Sequence, residues 1–209
     1  MQSVNINLDI LRVVGYRQWC NKLWNVIRFA MTNLGSNFVP SATIRPASLP
    51  LSCQWILSVL NKAIDKTVKG LEKYEFSEST TALHSWWLYE LCDVFIEVIK
   101  PTMFGDDEVA KKATRDTLWV CLDTGLRLLH PFMPYLTEEL WQRLPQREGE
   151  AQAKSSIVVA EYPAVNHVSL LCGLLCVCAA HEVNISIVNR KVVVYCDLTD
   201  GQKKLFEEI

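Results

Sequence analysis

No apolar run in this sequence is long enough to cross a bilayer. The longest, from Val168 to Ala180, is interrupted by Ser169 and Gly173 and falls short of the roughly 20 residues a spanning helix needs. Met1 to Leu8 lack the basic and apolar regions of a secretory signal. A cytoplasmic protein without a membrane partner is therefore expected, with an organellar form left open. Neither sign of charge prevails: 21 Lys+Arg stand against 23 Asp+Glu in 209 residues, and half the residues are hydrophobic, which excludes whole-chain disorder. There is no G-x-x-x-x-G-K-[ST] loop, no G-x-G-x-x-G turn, no H-E-x-x-H and no G-x-S-x-G. His84, His130, His167 and His181 have no metal-ligand partner at a recognised spacing. No catalytic residue, bound cofactor or metal is expected from these motifs.

Cysteine is plentiful, but the pattern argues against a disulfide framework. Cys20, Cys53, Cys92 and Cys121 lie singly within apolar helical patterns, where a thiol behaves as a small hydrophobe. Cys172, Cys176 and Cys178 cluster among Leu, Val and Ala, which favours core packing over a four-ligand zinc site. Charge is distributed unevenly. Residues 1–73 hold nine basic and three acidic side chains, residues 74–145 six and twelve, and the remainder six and eight. One end of the molecule is thus suited to a polyanion.

Five helical segments can be read before Pro145. The first runs from about Asp9 to Gly35, with Val13, Tyr16, Cys20, Leu23, Ile27, Ala30 and Leu34 on one face. Ser36 to Pro50, with three prolines, reads as a loop. The second helix starts at Pro50 or Leu51. The third opens after Ser77 as N-cap and ends at Pro101. The fourth begins at the acidic turn Asp106–Glu108 and reaches Leu129, and a short one covers Tyr135 to Arg143. Long amphipathic segments with short breaks predict a mainly α, antiparallel helix bundle over 5–145. Residues 146–163 read as a linker with a short strand at Ile157–Ala160. Residues 164–209 read as a small α/β or β-hairpin appendage, in which Val183–Val188 and Lys191–Asp197 form hairpin arms.

Two polar stripes stand out. Arg17, Asn21, Asn25 and Arg28 fall in one narrow sector of the first helix, with Trp24 at its edge. Guanidinium forks and amides can take phosphates and base edges, and an indole can stack an unpaired base. On the second helix Lys62, Lys66, Lys69 and Lys73 point one way, an arrangement a phosphate backbone would relieve. Either stripe also fits an ordinary solvated face, with Trp24 as a core anchor.

Longer stretches carry a family resemblance. Tyr16-Arg17-Gln18-Trp19-Cys20-Asn21-Lys22-Leu23-Trp24-Asn25 with Arg28-Phe29, and His130-Pro131-Phe132-Met133-Pro134-Tyr135-Leu136-Thr137-Glu138-Glu139-Leu140-Trp141-Gln142, resemble the opening and closing segments of the anticodon-binding domain of valyl-tRNA synthetases, class I enzymes. The resemblance implies a bundle that holds the anticodon stem-loop of valine tRNA, with Arg17, Asn21, Lys22, Trp24, Asn25, Arg28, Lys62, Lys66, Lys69 and Lys73 as candidate RNA contacts. The family's ATP-binding signatures, His-Ile-Gly-His and Lys-Met-Ser-Lys-Ser, do not occur. The chain thus looks like a C-terminal piece cut off before a coiled coil, inactive alone, with ATP and the catalytic part as the parent enzyme's share. Two alternatives remain open: a truncated relative serving as a protein-interaction bundle, and the equivalent domain of an isoleucine or leucine tRNA synthetase.

Overall fold

The computed structural model describes residues 9–35, 37–41, 44, 48–147, 156–165, 184–188 and 191–195. Helix α1 spans Ile10–Leu34. Its N-cap is Asp9, whose carboxylate accepts from the Leu11 N–H at 3.0 Å, and it ends at Gly35, whose φ of 82° only glycine adopts freely. Helix α2 spans Leu51–Glu72 behind Pro50. Helix α3, Phe76–Ser85, runs without a break into a π-helical segment, Trp86–Phe95, and then into α4, Ile96–Phe104. Helix α5 spans Glu108–Leu129, with the Asp107 carboxylate accepting from the N–H groups of Val109 and Ala110. Helix α6 spans Pro134–Trp141. Strands β1, Asn184–Val188, and β2, Lys191–Tyr195, pair antiparallel.

The core lies between these helices and is built from large side chains. Leu23 and Ile27 of α1, Ile56 of α2, Leu83 of α3, Trp86, Trp87, Leu91 and Phe95 of the π segment, Ile99 of α4, and Leu118, Leu122 and Leu126 of α5 are fully buried. Cys53, Cys92 and Cys121 are buried free thiols, as an apolar helical setting predicts. Cys172, Cys176, Cys178 and Cys196 lie outside the described residues, as does the Val168–Ala180 run.

Several sequence expectations are corrected here. The apolar face of α1 is buried only from Leu23 onward. Val13 and Tyr16, expected to be buried, are exposed, together with Ile10, Leu11 and Val14, because the helix reaches beyond the helices that cover its second half. The third helix starts at Phe76 rather than after a Ser77 cap. The α2 C-terminus forces this: the Glu75 N–H returns to the Gly70 carbonyl at 2.7 Å and that of Tyr74 to Leu71 at 3.1 Å, closing a Schellman turn that feeds directly into α3. Pro101 does not end the helix. It sits at an exposed position inside α4, which ends one turn later at Phe104, so only the single bond that Pro101 itself cannot donate is missing. The last helix is a little shorter than expected, and Ile157–Ala160 is not a strand. Residues Ile157–Val159 form a single 3₁₀ turn capped by Ser156.

The π segment had no sequence signature in an α-helical reading. Its buried residues fall in the adjacent pairs Trp86–Trp87 and Leu91–Cys92, then Phe95, which pairs with Ile96 at the start of α4, at steps of four and five. That spacing suits i→i+5 bonding and turns two residues per turn inward. Gly125 on α5 makes room for the tryptophans: a Cβ there would lie 2.7 Å from Trp86 and 2.8 Å from Trp87.

Polar bonds fix the connections. Asp116 accepts from the Ser41 N–H at 3.1 Å and hydroxyl at 2.6 Å, pinning the α1–α2 loop to α5. The Trp141 indole donates to Asp123 at 2.8 Å. Tyr162 donates to the Leu128 carbonyl at 3.0 Å, and Arg127 to that of Glu161 at 3.1 Å, holding residues 161–162 along α5. Among the described residues no helix is long and apolar enough to cross a membrane.

Candidate nucleic-acid interface

Two surfaces carry the predicted residues. The first is the outer face of α1. Its inner face is anchored by Leu23, Val26, Ile27 and Ala30, which turns Arg17, Asn21, Asn25 and Arg28 to solvent. Helical geometry places all four in one sector, with their polar ends free of the core.

Trp24 stands at the edge of this sector, 37% exposed. One face of its indole is occupied: the Arg143 guanidinium, just beyond α6, lies 4.8 Å from the ring centroid. Arg143 is itself held by Glu139, with Nε 3.0 Å from Oε1. Lys22 does not share the face. Its ammonium turns toward the π segment and pairs with Asp93 at 2.9 Å, an exposed contact that contributes about 0–1 kcal/mol.

The second surface is a groove of about 550 Å³ between α2, α3 and the start of the π segment. Lys62, Lys66, Lys69 and Lys73 line its α2 wall, all exposed. Lys69 pairs with Asp65 at 2.8 Å. The opposite wall holds Glu75, Glu78 and Glu90. Burial pushes the Glu90 carboxyl above its ordinary range, against the opposing pull of Lys62 and Lys66. The walls approach closely because Gly70 has no side chain: a Cβ there would lie 2.3 Å from the Ser79 hydroxyl, which donates to the Thr67 carbonyl at 3.1 Å.

The α3–π stretch separates the two surfaces. Its His84 ring packs on Trp19 of α1 with centroids 4.7 Å apart, and its Asp93 meets Lys22, while its Glu90 faces the α2 lysines. Among the described residues no group of three or more His, Cys, Asp or Glu side chains could hold a metal ion. Exposed cations, amides and aromatic edges can bind a polyanion with unpaired bases.

A sequence profile described as "Anticodon-binding domain of tRNA ligase" matches residues 53–193. The chain belongs to this family of anticodon-binding domains. The match begins within α2, so α1 precedes it. Among curated proteins the chain is similar to a mitochondrial valine–tRNA ligase of Arabidopsis thaliana, 56% identical over 78% of this chain. It is also similar to the Homo sapiens valine–tRNA ligase, 51% identical over 78%. It spans only 15% and 13% of the lengths of those relatives. Among solved structures, LeuRS from an Agrobacterium radiobacter K84 ternary complex with tRNA and LeuAMS shares the fold. The TM-score is 0.58 at 18% identity, covering 97% of this chain and 22% of that one.

For this anticodon-binding domain, sequence reasoning missed Arg143. Trp24 lies on α1 and Arg143 just beyond α6, and no local spacing links them. The available signal was the four-residue spacing from Glu139 of α6 to Arg143 just past its end, which marks an i,i+4 pair but says nothing of its neighbour.

Proposed function

We propose that this chain is the tRNA-binding, anticodon-recognising region of a valine–tRNA ligase. It contributes affinity and recognition to the ATP-dependent attachment of valine to its tRNA, and the catalytic part and ATP belong to the rest of the enzyme. The observation that carries this is the solvent-facing row Arg17, Asn21, Asn25 and Arg28, in a chain of the anticodon-binding family. The ligand is the anticodon stem-loop of valine tRNA, with Lys22, Trp24 and the α2 lysines Lys62, Lys66, Lys69 and Lys73 as further contacts. The valine reading is preferred to isoleucine or leucine because the similar curated proteins above are valine–tRNA ligases.

Residues 5–145 form the binding domain in this reading, 146–163 a connecting segment, and 164–209 a small appendage built on the β-hairpin. The working compartment is the cytoplasm or an organelle, since relatives include mitochondrial ligases. A protein-interaction role has one observation of its own: Ile10, Leu11, Val13 and Val14 present apolar side chains to solvent, a surface suited to another protein segment.

Filter binding with transcripts tests the proposal. Valine tRNA is expected to bind more tightly than an unrelated hairpin at moderate salt. Equal binding of both would reduce the interaction to the sequence-independent electrostatic term and overturn it. Valine-dependent ATP–pyrophosphate exchange is expected to be absent from the 209-residue chain, and its presence would show that the chain is itself an enzyme.

A further inference from the structure

The turn between α2 and α3 is built in an unfavourable way. Tyr74 occupies the left-handed position after the helix cap, with φ of 62°, a place that helices ending in this way usually give to glycine. A bulky aromatic residue in the left-handed region is an outlier. Nothing in the fold's interior explains the choice, because the Tyr74 side chain is 80% exposed. Its ring contacts Phe76, itself 54% exposed, edge to face with centroids 6.4 Å apart. Two aromatic rings are thus held in water by a strained turn, an arrangement that fold stability alone disfavours. Backbone strain of this kind concentrates at ligand-binding positions.

The surroundings identify the ligand. Lys73, Glu75 and Ser77, which flank Tyr74 and Phe76 in the chain, line the groove, so the two aromatic residues belong to the α2–α3 turn at one end of it. Three of the groove lysines, Lys62, Lys66 and Lys73, have no ion pair at contact distance among the described residues. The lysines offer contacts for a phosphate backbone, while the carboxylates Glu75, Glu78 and Glu90 in the same groove limit how much charge alone can hold. A ligand carrying both phosphates and flat apolar faces fits both features. A fully paired duplex offers few exposed base faces, whereas a single strand offers one at each nucleotide.

We infer that the Tyr74–Phe76 corner is a stacking platform for an unpaired RNA base, with the strand's backbone running along the α2 lysines. The inference rests on the tRNA-binding reading above and adds to it a second contact region, remote in sequence from the Arg17–Arg28 face. The strained tyrosine separates function from stability. Replacing Tyr74 by Gly removes the ring and also relieves the turn, so the variant folds at least as well as the parent.

The test compares the full chain with its Tyr74→Gly and Tyr74→Phe variants. Anisotropy is measured on a labelled hairpin RNA with an unpaired loop, and on a fully paired duplex made from the same stem. Tyr74→Gly is expected to raise the thermal midpoint, weaken binding to the looped RNA about tenfold, the effect of losing one stacked base, and leave duplex binding unchanged. Tyr74→Phe, which keeps the ring, is expected to bind like the parent. Unchanged affinity of Tyr74→Gly for looped RNA would overturn the platform while leaving the tRNA-binding reading intact, and the rings would then belong to a protein contact or to none. Failure of the parent chain to bind either RNA would overturn the reading and the platform together.

Discussion

The guanidinium of Arg143 lies 4.8 Å over the indole of Trp24 and joins the end of α6 to the outer face of α1. It changes what Trp24 can do. With one face covered, the indole orients a cation beside Arg28, Asn21 and Asn25 as much as it offers a surface for a base. The contact ties the Tyr16–Phe29 segment to the residue that directly follows the His130–Gln142 segment.

Removing this arginine is expected to affect binding more than folding. Arg143 is over half exposed, and a cation–π contact at such a site contributes about 0.5–1 kcal/mol. Arg143→Ala should therefore lower unfolding stability by less than about 1 kcal/mol in urea titration. If Arg143 meets a phosphate, the slope of log affinity for tRNA against log salt should fall by about one. An unchanged slope and affinity would make the contact a structural clasp between α1 and α6.

Gly125 sets the packing of the largest core residues. A methyl group there meets Trp86 at 2.7 Å and Trp87 at 2.8 Å, and both rings are fully buried, so neither has room to withdraw. Gly125→Ala gains about 1 kcal/mol of helix propensity against an overpacking cost of about 1–3 kcal/mol. The expected net effect is a loss of about 1 kcal/mol, read as a lower denaturation midpoint. A stabilised variant would show that the tryptophans repack easily.

Much of this architecture is legible in the sequence, and the exceptions have physical causes. Helices α2 and α5 follow from their apolar period and from Asp107, because one-sided burial writes a period into a sequence. The π segment escaped because its steps of four and five residues also satisfy an α-helical template over two turns. Val13 and Tyr16 match the period but are exposed, since periodicity reports a face and not whether another element reaches it. The Arg17–Arg28 stripe is a local property of one helix and could be read directly. The Trp24–Arg143 contact and the Tyr74 turn depend on tertiary placement and a backbone angle, which no spacing encodes.

The buried thiols should be chemically quiet. Desolvation raises the Cys53 and Cys121 thiols above their ordinary value and pushes Cys92 up to about 12, so almost no thiolate exists at neutral pH. Alkylation of the native protein at pH 7.5 should leave these three unmodified, as peptide mass spectrometry would show, while half-buried Cys20 reacts sooner. Rapid labelling of Cys92 would indicate local opening between α1 and the π segment.

The attachment of the 3₁₀ turn to α6 should depend on acid. Burial raises the Glu138 carboxyl, but hydrogen bonds outweigh it: Gln142 donates at 2.7 Å, the Ser156 hydroxyl at 2.7 Å and the Ile157 N–H at 3.2 Å. The net shift is downward. A lowered folded value means the carboxylate's contribution is complete above the unfolded value, about 4.3, and is lost as pH falls through the folded one. Hydrogen exchange at the Ile157 amide should stay slow at neutral pH and accelerate, beyond the intrinsic trend, only below about pH 4.3. Glu138→Gln, which cannot titrate, should exchange faster at neutral pH and show no such step. A step of equal size in that variant would assign the acid response to another carboxylate.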